Sequence, residues 1–172
     1  MTIELHKNKS VDGYPRVGSF KIIYNFRSGI QGKEHYHPGV RYDGTQRECF
    51  LPANSRGIEV LAMLKIAWER RLIFTIDKSE TTQKENQIVW NGIHHKTSPT
   101  DDGGFDANGK PIYIRNAFPD MNYLDNVTLE LASMGVRPSD IKGMNITKRT
   151  TLDGMKTEGD DEAFQLVSDA AK

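Results

Sequence analysis

Cysteine is nearly absent: Cys49 is the only one among 172 residues. A single thiol cannot close an internal disulfide. It also excludes every zinc site built on two or more thiolates, zinc fingers and RING domains included. Net charge is absent as well, since 23 Lys plus Arg balance 23 Asp plus Glu. No global field therefore drives the chain onto nucleic acid or an acidic membrane, although a local basic groove is not excluded. Long hydrophobic runs are missing too. The opening "MTIELHKNKSV" has no apolar core, so neither a signal peptide nor a membrane helix is expected. The expectation is an intracellular protein, cytoplasmic or nuclear, without a membrane partner. The glycosylation-like triplets at Asn8, Asn126 and Asn145 then count as chance matches. There is no P-loop, no GxGxxG, no nucleophile elbow and no internal repeat.

What is there suits one domain. Hydrophobic residues make up 37 % and charged residues 27 %, enough apolar material for a core. Residues 1–12 are polar and read as an N-terminal arm running into the turn "DGYP". "GSFKIIYNF" is rich in β-branched and aromatic residues and predicts a strand. Residues 27–47 hold too much Gly and Pro for a helix and read as a long loop, followed by the short strand "ECFLP". "ANSRGIEVLAMLKIAWERR" predicts a helix capped by Asn54 or Ser55, with Ile58, Leu61, Leu64 and Trp68 on one face. "LIFTI" lacks alternation and predicts a buried central strand, with "QIVWN" as its partner across the polar loop "DKSETTQKEN".

The Gly-, Asp- and Pro-rich segment 98–111 reads as a flexible excursion. Its "DDGGFDANG" resembles a calcium loop but lacks the closing Glu. "FPDMNYLDNVTLELASMG" predicts a second helix, capped by Asp120 and stopped at Gly135, with Leu124, Val127, Leu131 and Met134 as its apolar stripe. Glu130 lies on the shoulder of that stripe by helical rotation. A carboxylate there needs a partner. Residues 137–172 form a polar extension with one late amphipathic stretch around Phe164, Leu166 and Val167.

Five histidines carry most of the chemical potential: His6, His35, His37, His94 and His95. "EHYHP" sets His35 and His37 two apart, on one face if extended, but no third metal ligand is evident and no metal is expected. His94 and His95 follow an apolar run ending in Trp90. Either could be an acid–base group, since imidazole titrates near neutrality, or a structural hydrogen-bonding residue in a turn. Trp90 could equally be core.

The separated stretches "YNFRSGIQ", "HPGVRYDGTQRECFLP", "RRLIFTI", "IVWNGIHHKTS" and "FPDMNYLDNVTLELASMGV" together resemble the C-terminal domain of the Deltex proteins, over residues 13–136. That resemblance implies an α/β (α+β) fold, a mixed sheet packed by two main helices. In the family this domain follows a RING that recruits a ubiquitin-charged E2. It binds ADP-ribose or NAD, and the two domains together place ubiquitin on a hydroxyl of ADP-ribose. Carried over by motif, the catalytic pair becomes His94 and Glu130, and the ligand-binding set Ser79, Trp90, His94, His95, Asn116 and Phe118. No cofactor beyond that ligand is implied.

This chain departs from the family pattern in several places. The loop that often reads "GTS" is "DKS", followed by Glu80, so Asp77 and Glu80 would repel a diphosphate if they faced it. Asn116 stands where the family often has histidine, and an amide binds but cannot titrate. The segment 98–111 is longer than the usual family loop, and there is no RING. Three readings follow. The first is a free-standing domain that recognises ADP-ribose, NAD, or ADP-ribosylated protein or nucleic acid. The second is the transfer half of a ubiquitin ligase whose RING and E2-ubiquitin come from partners. The third is a protein-interaction domain with a decayed pocket.

Overall fold

A computed structural model describes residues 1–141 and 155–157. The chain runs β1 (Thr2–His6), β2 (Ser19–Phe26), β3 (Gly29–Ile30), β4 (Arg41–Tyr42), β5 (Thr45–Pro52), α1 (Ser55–Glu69), β6 (Phe74–Asp77), β7 (Gln87–Trp90), α2 (Tyr123–Ser133), α3 (Pro138–Ile141) and β8 (Met155–Thr157). The main sheet has the order β5-β2-β1-β8. β1, β2 and β5 pair antiparallel, whereas β8 runs parallel to β1. The sheet is therefore mixed and α1 and α2 are the two main helices, as expected.

Alternation explains why these strands form. Ile3 and Leu5 of β1, Phe20, Ile22 and Tyr24 of β2, and Cys49 and Leu51 of β5 all point into one core. That core also covers α1. Asn54 caps it, its side chain accepting the Gly57 N–H at 2.8 Å. Val60, Leu61, Met63, Leu64, Ile66 and Ala67 are buried while Ile58 and Trp68 are only partly so. The buried face is wider than a single stripe because α1 packs on both β5 and α2. Arg56 ties the two helices by bonding Asp125 and Thr128.

Four expectations need correction. The N-terminal arm is no arm: Thr2–His6 pairs residue for residue with Ile23–Ser19, because its Ile3 and Leu5 have a core to enter. The long loop 27–47 contains the small hairpin β3–β4 and the start of β5. "LIFTI" is not central, since β6 pairs only with β7 in a separate two-stranded sheet. Its apolar run reflects an aromatic cluster, in which Phe74 meets Tyr24, Phe26, Trp68 and Trp90 at 4.4–6.3 Å. Asp120 does not cap α2; Asn122 holds that place. The Asp120 carboxylate is taken by Lys96 at 2.7 Å and by the Asn122 N–H. The late apolar stretch at Phe164, Leu166 and Val167 lies outside the described residues. No described helix is long and apolar enough to cross a membrane.

Candidate functional site

Two elements build the site. One is the extended chain after β7, which carries His94, His95 and Lys96. The other is α2, which offers Tyr123, Asn126, Leu129 and Glu130 along one side at spacings of three and four. Asn116 and Asp120, on the approach to α2, complete the lining of a cavity of about 400 Å³.

His94 is clamped along its whole length. Glu130 Oε2 accepts its backbone N–H at 2.8 Å, and Glu130 Oε1 lies 2.6 Å from Nδ1. The Tyr123 hydroxyl donates to its carbonyl at 3.1 Å. A carboxylate can only accept, so Nδ1 carries a proton, and in the neutral imidazole Nε2 keeps its lone pair. The imidazole is 73 % exposed while the Glu130 carboxylate is only 26 % exposed. The ring therefore faces solvent from a sheltered support. Glu130 on its shoulder position has found the partner that its place on the helix demanded.

His95 points the other way, as alternation along an extended chain requires. It is buried, with Nδ1 at 2.8 Å from the Ile93 carbonyl and Nε2 at 3.1 Å from the Tyr24 hydroxyl. A carbonyl cannot donate, so Nδ1–H donates and Nε2 accepts from Tyr24. Its ring stacks on Trp90 at 4.2 Å. Burial outweighs the Ile93 hydrogen bond and pushes its pKa down to about 4. The Tyr24 phenol and the Cys49 thiol beneath it are both pushed up by the same burial.

Lys96 lies two residues beyond His94 and so returns to the same side of the chain. Its ammonium pairs with Asp120 at 2.7 Å and sits 5.5 Å from the Tyr123 ring centroid and 6.0 Å from that of Phe118. Among the described residues it is the only Lys or Arg on the lining, and Asp120 neutralises it. Asn116 adopts a left-handed backbone, φ 63°, which Asn tolerates better than most residues. Its carbonyl accepts the N–H groups of Thr97 and Ser98, tying the approach to α2 back onto the histidine-bearing chain.

Of the residues expected from the sequence, His94, His95, Asn116 and Glu130 meet at this cavity. Trp90 reaches it only through His95. Ser79 does not line it; that residue orders the β6–β7 loop, bonding Thr82, Gln83 and Lys84. Phe118 has no surface to offer a ligand, being fully buried between the rings of Tyr14 and Tyr123. Asp77 and Glu80 are exposed and stay off the lining. Lys96, Asp120, Tyr123, Asn126 and Leu129 were missed as site residues. Helical spacing from Glu130 would have found Asn126 four residues before it, and alternation from His94 would have found Lys96. Among the described residues no group of three or more His, Cys, Asp or Glu side chains could hold a metal ion.

The Deltex C-terminal domain family model matches residues 1–136. The match begins at the first residue, in keeping with β1 as part of the sheet and not an arm before residue 13. Human E3 ubiquitin-protein ligase DTX1 is 44 % identical over 129 residues, covering 74 % of this chain and 19 % of the relative. Mouse E3 ubiquitin-protein ligase DTX4 is 42 % identical over the same length and shares. Human probable E3 ubiquitin-protein ligase DTX3 is 44 % identical over 123 residues, 72 % of this chain and 33 % of the relative. The matched part thus spans between a fifth and a third of these relatives.

Proposed function

The chain belongs to the Deltex C-terminal domain family, and from that premise we propose that its cavity binds ADP-ribose or NAD, free or as a modification on protein or nucleic acid. One observation carries this reading: a cavity of about 400 Å³ whose lining gathers the hydrogen-bonding groups of His94, Asn116, Asn126 and Glu130. That volume is within the range of small-molecule sites. Carboxylate, amide and imidazole groups are suited to the vicinal hydroxyls of a ribose. Among the described residues the lining supplies no unpaired cation, because Lys96 is held by Asp120. A ribose therefore suits this lining, and a diphosphate would take its counter-charge from elsewhere. Asp77 and Glu80 lie off the lining, so they do not oppose it.

Calorimetric titration of the full chain with ADP-ribose and with NAD tests this. Saturable binding is expected. Glu130→Ala should weaken it about tenfold, the loss expected for a hydrogen bond to a charged group. No heat at millimolar ligand would leave the reading without support and favour an interaction domain with a decayed pocket.

The His94–Glu130 contact favours a second reading, the substrate-binding half of a ubiquitin ligase served by a RING and E2 from partners. The relatives are named E3 ubiquitin-protein ligases. In this reading a ribose hydroxyl oxygen attacks the carbonyl carbon of the ubiquitin thioester. His94 Nε2 takes the hydroxyl proton while Glu130 holds Nδ1–H, and the C–S bond breaks to release the E2 thiol. Asn116 weighs against it, because it is an untitratable amide on the same lining. Incubation with E1, charged E2, a RING added in trans and ADP-ribose should therefore give slow transfer or none. Asn116→His should raise it, and His94→Ala should lower whatever transfer remains. An unchanged rate in both variants would remove these two residues from the chemistry.

A further inference from the structure

Both main-chain polar groups of His94 are taken by side chains of α2. Glu130 Oε2 accepts the N–H at 2.8 Å, and the Tyr123 hydroxyl donates to the carbonyl at 3.1 Å. No backbone group among the described residues pairs with either. Tyr123 and Glu130 stand seven residues apart in α2, two turns of helix. They therefore share one face of it, about 10 Å apart along its axis. That face grips residue 94 at three points: the carbonyl, the amide and Nδ1.

Tyr123 is itself firmly held. It is buried, Phe118 meets its ring edge-on at 5.7 Å, and Lys96 Nζ stands 5.5 Å from its ring centroid. Burial pushes the phenol well above its usual pKa range, against a weaker hydrogen bond with the Lys96 main chain that lowers it. The hydroxyl therefore keeps its proton across the neutral range and stays a donor. The His94 ring is mostly exposed, so packing does little to orient it and its hydrogen bonds must do so.

A single bond at the amide leaves the residue free to swivel about that bond. Two bonds, one at each end of its main chain, fix the direction in which the side chain departs. The imidazole then falls on Glu130 Oε1 at 2.6 Å. We propose that Tyr123 is a positioning residue: its hydroxyl, through the His94 carbonyl, aims the imidazole at Glu130 and so selects the tautomer with Nδ1 protonated and Nε2 free. Its value to chemistry rests on the transfer reading, in which Nε2 takes a hydroxyl proton; the positioning itself does not depend on that reading.

The imidazole nitrogen resonances of the full chain, recorded at about pH 8, above the usual imidazole range, read the tautomer directly. Tyr123→Phe removes the hydroxyl and keeps the ring. It should lower the ratio of the Nδ1–H to the Nε2–H form at His94 about tenfold, the worth of one hydrogen bond. His95, whose Nδ1–H is held by the Ile93 carbonyl, should keep its tautomer and report an intact fold. Tyr24→Phe, which removes the hydroxyl bonded to His95, should leave His94 unchanged. In the assay with E1, charged E2 and a RING in trans, Tyr123→Phe should slow transfer about tenfold while ADP-ribose affinity changes less than about twofold. An unmoved His94 tautomer in Tyr123→Phe, a loss that His95 shares, or an equal loss in Tyr24→Phe would overturn the proposal. So would an unchanged transfer rate wherever transfer is seen. Absence of transfer with every protein would remove the ligase reading alone, since the tautomer still decides the role of Tyr123.

Discussion

Lowering the pH from 7 to 4 is expected to remove about 3 kcal/mol of folding free energy through His95 alone. The imidazole is buried and neutral, with a pKa down from 6.5 to about 4. Protonation would place a charge against Trp90 and end the bond that Nε2 accepts from Tyr24. The sign follows from proton counts. Between about pH 6.5 and pH 4 the unfolded chain binds a proton that the folded chain refuses, so stability rises with pH across that window. The contribution is complete above about pH 6.5 and is lost progressively as pH falls toward 4. The gap between the two values corresponds to about 3 kcal/mol. Urea unfolding of the native chain and of His95→Gln at several pH values separates this group from the carboxylates. The difference in slope between the two proteins should vanish above pH 7. Parallel curves throughout would show that His95 titrates normally.

Gly57→Ala is expected to destabilise the protein by about 3 kcal/mol, in the upper range for a forced steric insertion. Helix propensity alone predicts the opposite sign, a gain of about 1 kcal/mol for Ala over Gly in a helix. Packing decides the matter here. A Cβ at Gly57 would lie 1.8 Å from the Pro52 carbonyl oxygen, a backbone atom at the end of β5 that cannot swing aside. Relief requires moving the first turn of α1 off β5. That turn also carries the Asn54 cap and Arg56, which reaches α2. Ser55→Ala, two positions earlier and exposed, should change stability by less than about 0.5 kcal/mol. Thermal or urea unfolding of both variants reads the contrast. A stabilised Gly57→Ala would mean that propensity outweighs the contact.

How far these features could be read from the sequence depended on the range of the forces involved. Helix α1 was legible because its cap, its periodicity and its length all lie within one contiguous stretch. β2 was legible from its own β-branched and aromatic residues. β1 was not, because a short strand with two inward apolar residues looks like any polar arm until a neighbour exists for it to pair with. "LIFTI" misled for a related reason. Its apolar run signals burial, but the burial is by Trp68, Trp90, Tyr24 and Phe26 and not by flanking strands. At the site, His94 and Glu130 were singled out from the residues and matched as a pair by motif. Phe118 failed because adjacency to a motif says nothing about which way a ring turns; Tyr14 and Tyr123 enclose it. Lys96 and Asp120 were invisible as a pair, since their meeting depends on how α2 docks against the chain after β7.

Glu130 meets His94 with both of its oxygens, one on the main chain and one on the ring. Any hydroxyl that enters the cavity and turns toward this carboxylate joins a group that is already engaged. Recognition there proceeds by sharing or exchanging partners and not by filling an empty place. A molecule that draws Oε1 away leaves the Nδ1–H without its acceptor and frees the imidazole to rotate. The protein thus presents a fixed ring. If the cavity binds as proposed, its occupancy and the orientation of His94 would be linked quantities, each altering the free energy of the other.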